Sequence, residues 1–244
     1  MIIDIHTHIG VIKGGFNMPE SMLVESMRKY EIDYSLVSNI EAAYFKPLES
    51  NIKMIELVKR YPKMLGGMLF CTPEFNSADA ERLYTENKEY IKGIKIHPDI
   101  SGTAINDEIF FSFYEMAAKY DLPVLFHTKA SPFSRIEFVT EVAERFPAVN
   151  FILGHMDIDT EDKKEAVAAI EEYGNIFGDT AWVKWDSIKN AGDKCLDKIM
   201  FGTDAPIAGE DTYADKKFYS EYYKRDCEAK EKILYKNAAK LFKI

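Results

Sequence analysis

The chain has 244 residues, a formal net charge of −9 and a sequence pI near 5.2. This length suits one large domain or two small ones. The acidic balance argues against a nucleic-acid-binding surface, which would be basic and clustered, and against docking on an anionic membrane.

Three widely spaced cysteines are present, Cys71, Cys195 and Cys227, and none forms a Cys-x-x-Cys pair. We therefore expect neither a disulfide framework nor a zinc site built from thiolates, and we expect the reduced cytoplasm as the compartment. The N-terminus has no basic region followed by a long apolar run, so no signal peptide is predicted. No stretch approaches the ~20 apolar residues of a membrane span.

Short apolar segments alternate with amphipathic segments along the whole chain, and their starts recur about every 25–30 residues, the size of one βα unit. Eight such units predict an α/β fold, a single (β/α)8 TIM barrel domain over residues 1–244. A doubly wound open sheet is the alternative. The predicted strands are 2–7, 34–38, 65–70, 93–97, 123–127, 150–155, 175–179 and 198–202.

Helix signals lie between these strands. Ser134 and Glu137 have the spacing of a capping box, just before an apolar stripe that begins at Ile136. The last segment predicts an extra C-terminal helix, because its apolar residues recur at helical spacing. The members of this last stripe are Ile233, Leu234, Asn237, Ala238, Leu241 and Phe242.

The first predicted strand contains a His-x-His motif. In a strand, Asp4, His6 and His8 share one face, so both imidazoles can reach one cation. Asp4 could then support a histidine by hydrogen bonding. The motif is short, and two histidines hydrogen-bonded near the N-terminus are the alternative interpretation.

The placement of all five histidines strengthens the metal interpretation. Each lies at or just past the end of a predicted strand, and in a parallel barrel these ends converge on one mouth, where active sites form. Asp204 follows the eighth strand and adds a carboxylate to the same rim. The histidines are His6, His8, His97, His127 and His155.

Three neutral imidazoles and a carboxylate suit one divalent metal ion, with zinc expected first and manganese, iron or cobalt as alternatives. A catalytic site keeps a position open for water, and the metal lowers the pKa of that water to about 7. Asp204 could hold this water and accept its proton.

Six segments together resemble the amidohydrolase superfamily, and most of all its amidohydrolase-related branch of mononuclear metal enzymes. They are IDIHTH (3–8), GIKIHP (93–98), VLFHT (124–128), ILGHM (152–156), FGTDAP (201–206) and KNAAKLF (236–242). The resemblance covers almost the whole chain, and the order and spacing of the segments match the family.

The resemblance implies a role for each matching residue. His6, His8 and His127 match the metal-ligand positions of the family. Asp204 matches a ligand that also acts as the general base, and His155 matches a histidine that orients water or polarises the substrate. A rim residue that only bonds a neighbouring loop is the alternative for each.

Lys95 and His97 share a strand face, so both could face the mouth. Some branches with two metals carry a carboxylated lysine on the fourth strand, which makes a second metal near these residues an alternative. His97 is predicted either to contact substrate or to have a structural role only.

Substrate contacts follow the fifth and seventh strands. Lys129 and Arg135 are predicted to bind an anionic substrate, with solvated surface charges as the alternative. Trp182 and Trp185 could pack against a helix or line a pocket.

The predicted function is a metal-dependent hydrolase that uses a metal-activated water to cleave an ester, lactone or amide of a small molecule. The close alternative is non-oxidative decarboxylation of a small unsaturated or aromatic acid. A non-catalytic binding barrel and a histidinol-phosphatase-like phosphoesterase are further alternatives. No nucleic-acid or membrane partner is predicted, and both a monomer and a homo-oligomer are compatible with the sequence.

Overall fold

A computed structural model describes residues 1–14, 16–188, 191–207 and 227–244. All eight predicted strands are present, and one short strand, β2, was not predicted. The strands are β1 (Ile3–Val11), β2 (Asn17–Met18), β3 (Tyr34–Asn39), β4 (Leu65–Phe70), β5 (Ile91–Ile96), β6 (Val124–His127), β7 (Phe151–Gly154), β8 (Ile176–Asp179) and β9 (Ile199–Met200).

These strands form one curled sheet in the order β2-β1-β3-β4-β5-β6-β7-β8-β9. Only the pairing of β2 with the end of β1 is antiparallel. Backbone bonds bring the two edges of the parallel part together: Ile5 N donates to Phe201 O at 3.0 Å, and His8 N donates to Ala205 O at 2.8 Å. The (β/α)8 barrel is therefore confirmed, and the open-sheet alternative is wrong.

Helices cover the outside of the sheet. They are α1 (Glu20–Lys29), α2 (Pro47–Arg60), α3 (Ser77–Glu86), α4 (Pro98–Ser101), α5 (Phe111–Tyr120), α6 (Ile136–Arg145), α7 (Lys164–Glu172), α8 (Trp185–Ile188) and α9 (Asp193–Leu196), with 3-10 turns at Ile40–Ala43 and Glu108–Phe110. No helix within the described ranges is both long enough and apolar enough to span a bilayer.

The capping box predicted for α6 is wrong. Arg135 occupies the N-cap position, and no side chain caps the helix there. Ser134 instead donates its hydroxyl to the Asp99 carboxylate, because the loop before α6 turns this side chain toward the strand ends. The predicted apolar face is present, and it buries Ile136, Val139 and other apolar residues.

Two apolar layers support the strands. The larger layer lies between the sheet and the outer helices. The smaller layer fills the barrel interior, and burying each such aliphatic side chain contributes roughly 1.5–3 kcal/mol. Its residues are Ile3, Ile5, Leu36, Met68, Leu125, Ile152 and Met200, together with Ala238 and Phe242.

The C-terminal helix packs against this inner layer and confirms the predicted extra helix. It runs through three consecutive pieces, Cys227–Glu231, the π-helical Lys232–Lys236, and Asn237–Phe242. Asn237 Nδ2 donates to Leu196 O at 2.8 Å and to Ile199 O at 2.7 Å, so this amide fastens the helix to the start of β9.

Candidate metal centre and active site

His6 and His8 lie within β1, which continues past them to Val11, and their side chains reach the barrel mouth. The register between β1 and β3 shifts between Asp4 and Thr7, so strict alternation of the faces is interrupted here. The Asp4 carboxylate accepts bonds from the backbone N–H groups of His6 at 3.0 Å and Thr203 at 3.1 Å. Asp4 therefore supports His6 through its backbone and joins β1 to the segment after β9.

The His6 ring is held on both sides. Its Nδ1–H donates to Asp179 Oδ2 at 2.7 Å, and Lys95 Nζ lies 2.8 Å from its Nε2. Burial, followed by the charge of Lys95, lowers the pKa of His6 well below its usual value, so the ring is neutral. With its proton on Nδ1, the ring has its lone pair on Nε2, which accepts from Lys95 and which a metal ion could use in its place.

His8 and Asp204 complete a compact group, which we call the inner group: His6, His8 and Asp204. His8 Nε2 lies 3.0 Å and His6 Nε2 lies 3.4 Å from Asp204 Oδ1. One ligand atom from each residue lies within 4.8 Å of the others.

Charge makes this group suited to a cation. Burial alone would raise the pKa of Asp204, but its interactions with His6 and the hydrogen bond with His8 lower it well below its usual value. An ionised oxygen therefore faces the lone pair of His6 Nε2. A divalent ion that accepts nitrogen and oxygen ligands fits between them.

The position of Asp204 depends on close backbone approach. Its N–H donates to His6 O at 2.8 Å, and its φ of 65° lies in the left-handed region. A Cβ at Gly202 would lie 3.1 Å from His6 Cβ and 3.2 Å from Asp179, so a larger residue there would have to shift these neighbours by a few tenths of an ångström. Trp182 Nε1 donates to Asp204 Oδ2 at 2.9 Å, leaving Oδ1 to face the histidines.

His155 follows β7 with a φ of 68°. Its Nδ1–H donates to Ala181 O at 3.2 Å, so its Nε2 carries a lone pair. The ring centre lies 4.9 Å from the rings of both His6 and His127. Burial lowers the pKa of His155 to about 4, so this ring is also neutral at pH 7.

His127 lies in a second group, the outer group, with His97 and Asp99. The rings of His97 and His127 stack with centres 4.0 Å apart, and His127 Nε2 lies 3.8 Å from Asp99 Oδ2. Burial, with a further effect from His155, lowers the pKa of His127 to about 2. The structure thus joins His127 more closely to the outer group than to the inner one, and its role as a metal ligand stays a prediction.

Lys129 and Arg135 have neighbours other than the members of the two groups. Lys129 Nζ lies 3.8 Å from Asp159 Oδ2, and Arg135 lines a cavity of about 210 Å³ with Glu137, Asp157 and other residues. Their role in substrate binding also stays a prediction.

Asp179 and Ser38 were absent from the predicted site residues, Trp182 was considered only as packing against a helix or lining a pocket, and Lys95 was considered only for a second metal. Asp179 bonds His6, and Ser38 Oγ lies 2.8 Å from His8 Nδ1. Asp179 ends a predicted strand, as the histidines do, so the same rule would have found it.

The fold is similar to three solved structures, each matched over 100% of this chain. For 4-oxalomesaconate hydratase from Rhodopseudomonas palustris, the TM-score is 0.71 at 16% identity, with 96% of that chain covered. For 5-carboxyvanillate decarboxylase from Novosphingobium aromaticivorans, complexed with manganese and 4-hydroxy-3-methoxy-5-nitrobenzoic acid, the TM-score is 0.72 at 16% identity, with 96% of that chain covered. For a probable 2-pyrone-4,6-dicarboxylic acid hydrolase from Acinetobacter baumannii with citric acid bound, the TM-score is 0.69 at 13% identity, with 99% of that chain covered.

At these identities the three structures show a shared fold alone. No curated protein matches the sequence. A family model described as amidohydrolase matches residues 3–244, nearly the whole chain. The protein belongs to the amidohydrolase family.

Proposed function

We propose that this protein is a metal-dependent hydrolase, one domain over residues 1–244, that cleaves an ester, lactone or amide bond of a small molecule. One observation carries the proposal. His6 Nε2 and His8 Nε2 converge on Asp204 Oδ1 at 3.4 and 3.0 Å in a buried site at the barrel mouth. Membership of the amidohydrolase family supports it.

His6, His8 and Asp204 would hold the metal, and His127 is the further ligand that we propose. Zinc is our first assignment, since it favours imidazole and carboxylate ligands in catalytic sites. Manganese is the second, since the similar decarboxylase from Novosphingobium aromaticivorans is complexed with it. When bound, such an ion supplies Lewis acidity toward a carbonyl oxygen and acidifies a water molecule.

The chain itself moves the proton and orients the reactants. Asp204 is ionised, so it can take a proton from water and pass it to the leaving group. His155 presents the lone pair of Nε2, which favours orienting the water over polarising the substrate. His97 Nδ1 accepts from Ile100 N at 3.4 Å, so its Nε2–H is free to donate to a substrate oxygen.

Decarboxylation of an aromatic or unsaturated acid is the second candidate. The fold likeness to 5-carboxyvanillate decarboxylase favours it. The two reactions differ in product, because decarboxylation releases carbon dioxide and leaves an ester substrate intact.

Metal analysis combined with two substrate screens tests the proposal. Purified protein is expected to hold one divalent ion and to turn over a member of an ester, lactone or amide library. Asp204→Asn should keep much of the metal and lose activity by about 10²- to 10⁴-fold. Asp162→Asn, at an exposed ion pair with Lys164, is the matched control and should retain full activity.

Pure, folded protein that binds no divalent metal would refute the hydrolase and the metal site together. Carbon dioxide release from carboxylic acids, without turnover in the ester, lactone or amide library, would replace hydrolysis with decarboxylation. Full turnover by Asp204→Asn would remove the general-base role.

We also propose a cytoplasmic location, in line with the free, buried thiols of Cys71 and Cys195. A small-molecule substrate is in keeping with the ligands named for two of the similar structures.

A further inference from the structure

One short loop, residues 179–183, reaches three of the proposed site side chains. Each forms one hydrogen bond with a different residue of this segment, which we call the β8 loop. His6 Nδ1–H donates to Asp179 Oδ2 (2.7 Å), His155 Nδ1–H donates to Ala181 O (3.2 Å), and Trp182 Nε1–H donates to Asp204 Oδ2 (2.9 Å).

Trp182 adopts an unusual backbone conformation to make its bond. Its φ is 62°, in the left-handed region that bulky residues rarely occupy. The turn is held by Val183 N donating to Thr180 O at 2.9 Å and by Ala181 N donating to Asp179 Oδ1 at 3.0 Å. Strain of this kind persists only where the surroundings fix it, and it concentrates at functional sites.

The bond from Trp182 makes the two oxygens of Asp204 unequal. The terminal torsion of an aspartate is broad and nearly two-fold, so an unheld carboxylate can exchange its oxygens. An indole N–H donates and never accepts. It therefore occupies Oδ2 and leaves Oδ1 for the cation side, where His8 Nε2 lies at 3.0 Å.

We propose that Trp182 is a positioning residue for the metal-facing carboxylate of Asp204. We further propose that the fluorescence of its indole changes when a cation binds to the inner group. The inference rests on the metal site of the proposed function. With 39% of its surface exposed, Trp182 extends from Asp204 toward solvent, and its fluorescence should respond to a cation bound at that carboxylate.

The chain offers a matched pair for the test, because it contains only two tryptophans. Trp185 lies in the apolar core and three residues farther along the chain. Trp185→Phe leaves Trp182 as the sole indole, whereas Trp182→Phe keeps a smaller aromatic ring and removes the N–H that reaches Asp204.

We expect zinc titration to change the emission of the wild type and of Trp185→Phe, saturating where equilibrium dialysis shows the site to be full. The emission of Trp182→Phe should stay flat. Its zinc affinity should fall about tenfold, as for other groups that orient a ligand. Trp185→Phe should keep the wild-type affinity, and melting curves check that both variants fold.

Three results separate the possible failures. Wild type without zinc binding overturns the proposed function and this inference with it. Wild type that binds zinc, together with a folded Trp182→Phe of equal affinity, overturns the positioning role alone. If Trp182→Phe does not fold, the test depends on the emission of Trp185→Phe. An emission that stays unchanged while zinc binds overturns the inference.

Discussion

The inner and outer groups lie at the same barrel mouth but differ in burial and in how they are held. His6, His8 and Asp204 are buried, and a side chain from another segment bonds each: Asp179 for His6, Ser38 for His8 and Trp182 for Asp204. The outer group of His97, Asp99 and His127 is half-buried. Its two rings stack on each other, Ser134 bonds Asp99, and His97 accepts a long bond of 3.4 Å from Ile100 N.

We infer from this difference that the inner group binds the metal, which needs one fixed geometry, and that the outer group contacts the substrate. Groups held by their own hydrogen-bond partners are suited to a metal, which demands fixed geometry. Stacked rings near solvent can adjust to a substrate. We therefore expect substitutions in the inner group to change metal content, and substitutions of His97 and Asp99 in the outer group to change substrate affinity. His127, the further ligand that we propose, should affect both.

The largest effect is expected for His6→Ala. Loss of this ligand should remove the metal and reduce turnover about a thousandfold or more, since the ion supplies several kcal/mol to the transition state. His97→Ala is the paired variant in the outer group and should keep the metal while raising KM. Metal analysis and steady-state kinetics on both variants check the contrast, and unchanged metal stoichiometry in His6→Ala would remove that residue from the ligand set.

A smaller effect is expected for Asp179→Asn. The carboxylate keeps the proton of His6 on Nδ1, so its loss should weaken zinc affinity about 10- to 100-fold without removing a ligand. The comparison with Asp99→Asn in the outer group is informative, because Asp99 lies 3.8 Å from His127 and should affect zinc binding less. Equal losses of affinity in the two variants would show that the outer group also holds the metal.

Strand periodicity and strand ends sufficed to predict the barrel and the gathering of the histidines. The eight strands were confirmed because apolar β-forming runs recur at the length of a βα unit. His6, His8 and Asp204 meet because parallel strands present their ends to one mouth. The ring stacking of His97 on His127 depends on side-chain torsions that no spacing encodes.

Local backbone irregularity explains the rest of what the sequence did not predict. The register shift between Asp4 and Thr7 changes which residues share a face, and it has no glycine or proline to mark it. The left-handed turn at Trp182 is equally unmarked, since a bulky residue there contradicts local preference. Only the assembled loop shows that this tryptophan contacts Asp204.

The last effect we predict is on the pH dependence of stability, and it concerns His155, which lies between the two groups. In the unfolded chain this histidine titrates near 6.5, whereas burial lowers its folded pKa to about 4. Between these values the unfolded state binds a proton that the folded state does not. The metal-free protein should therefore lose stability as the pH falls from about 6.5 to about 4, by about 1.4 kcal/mol per pH unit for this residue.

Urea unfolding of metal-free wild type and His155→Asn across that pH range measures the contribution. The slopes are compared rather than the absolute free energies, because the substitution also changes packing. The free energy of unfolding should fall less steeply with acidification in the variant, since one proton fewer is taken up on unfolding. If the unfolding free energies of the two proteins changed with pH in parallel, His155 would have the same pKa in the folded and the unfolded state. The role of His155 as a ring that burial keeps neutral to orient water would then have to be abandoned.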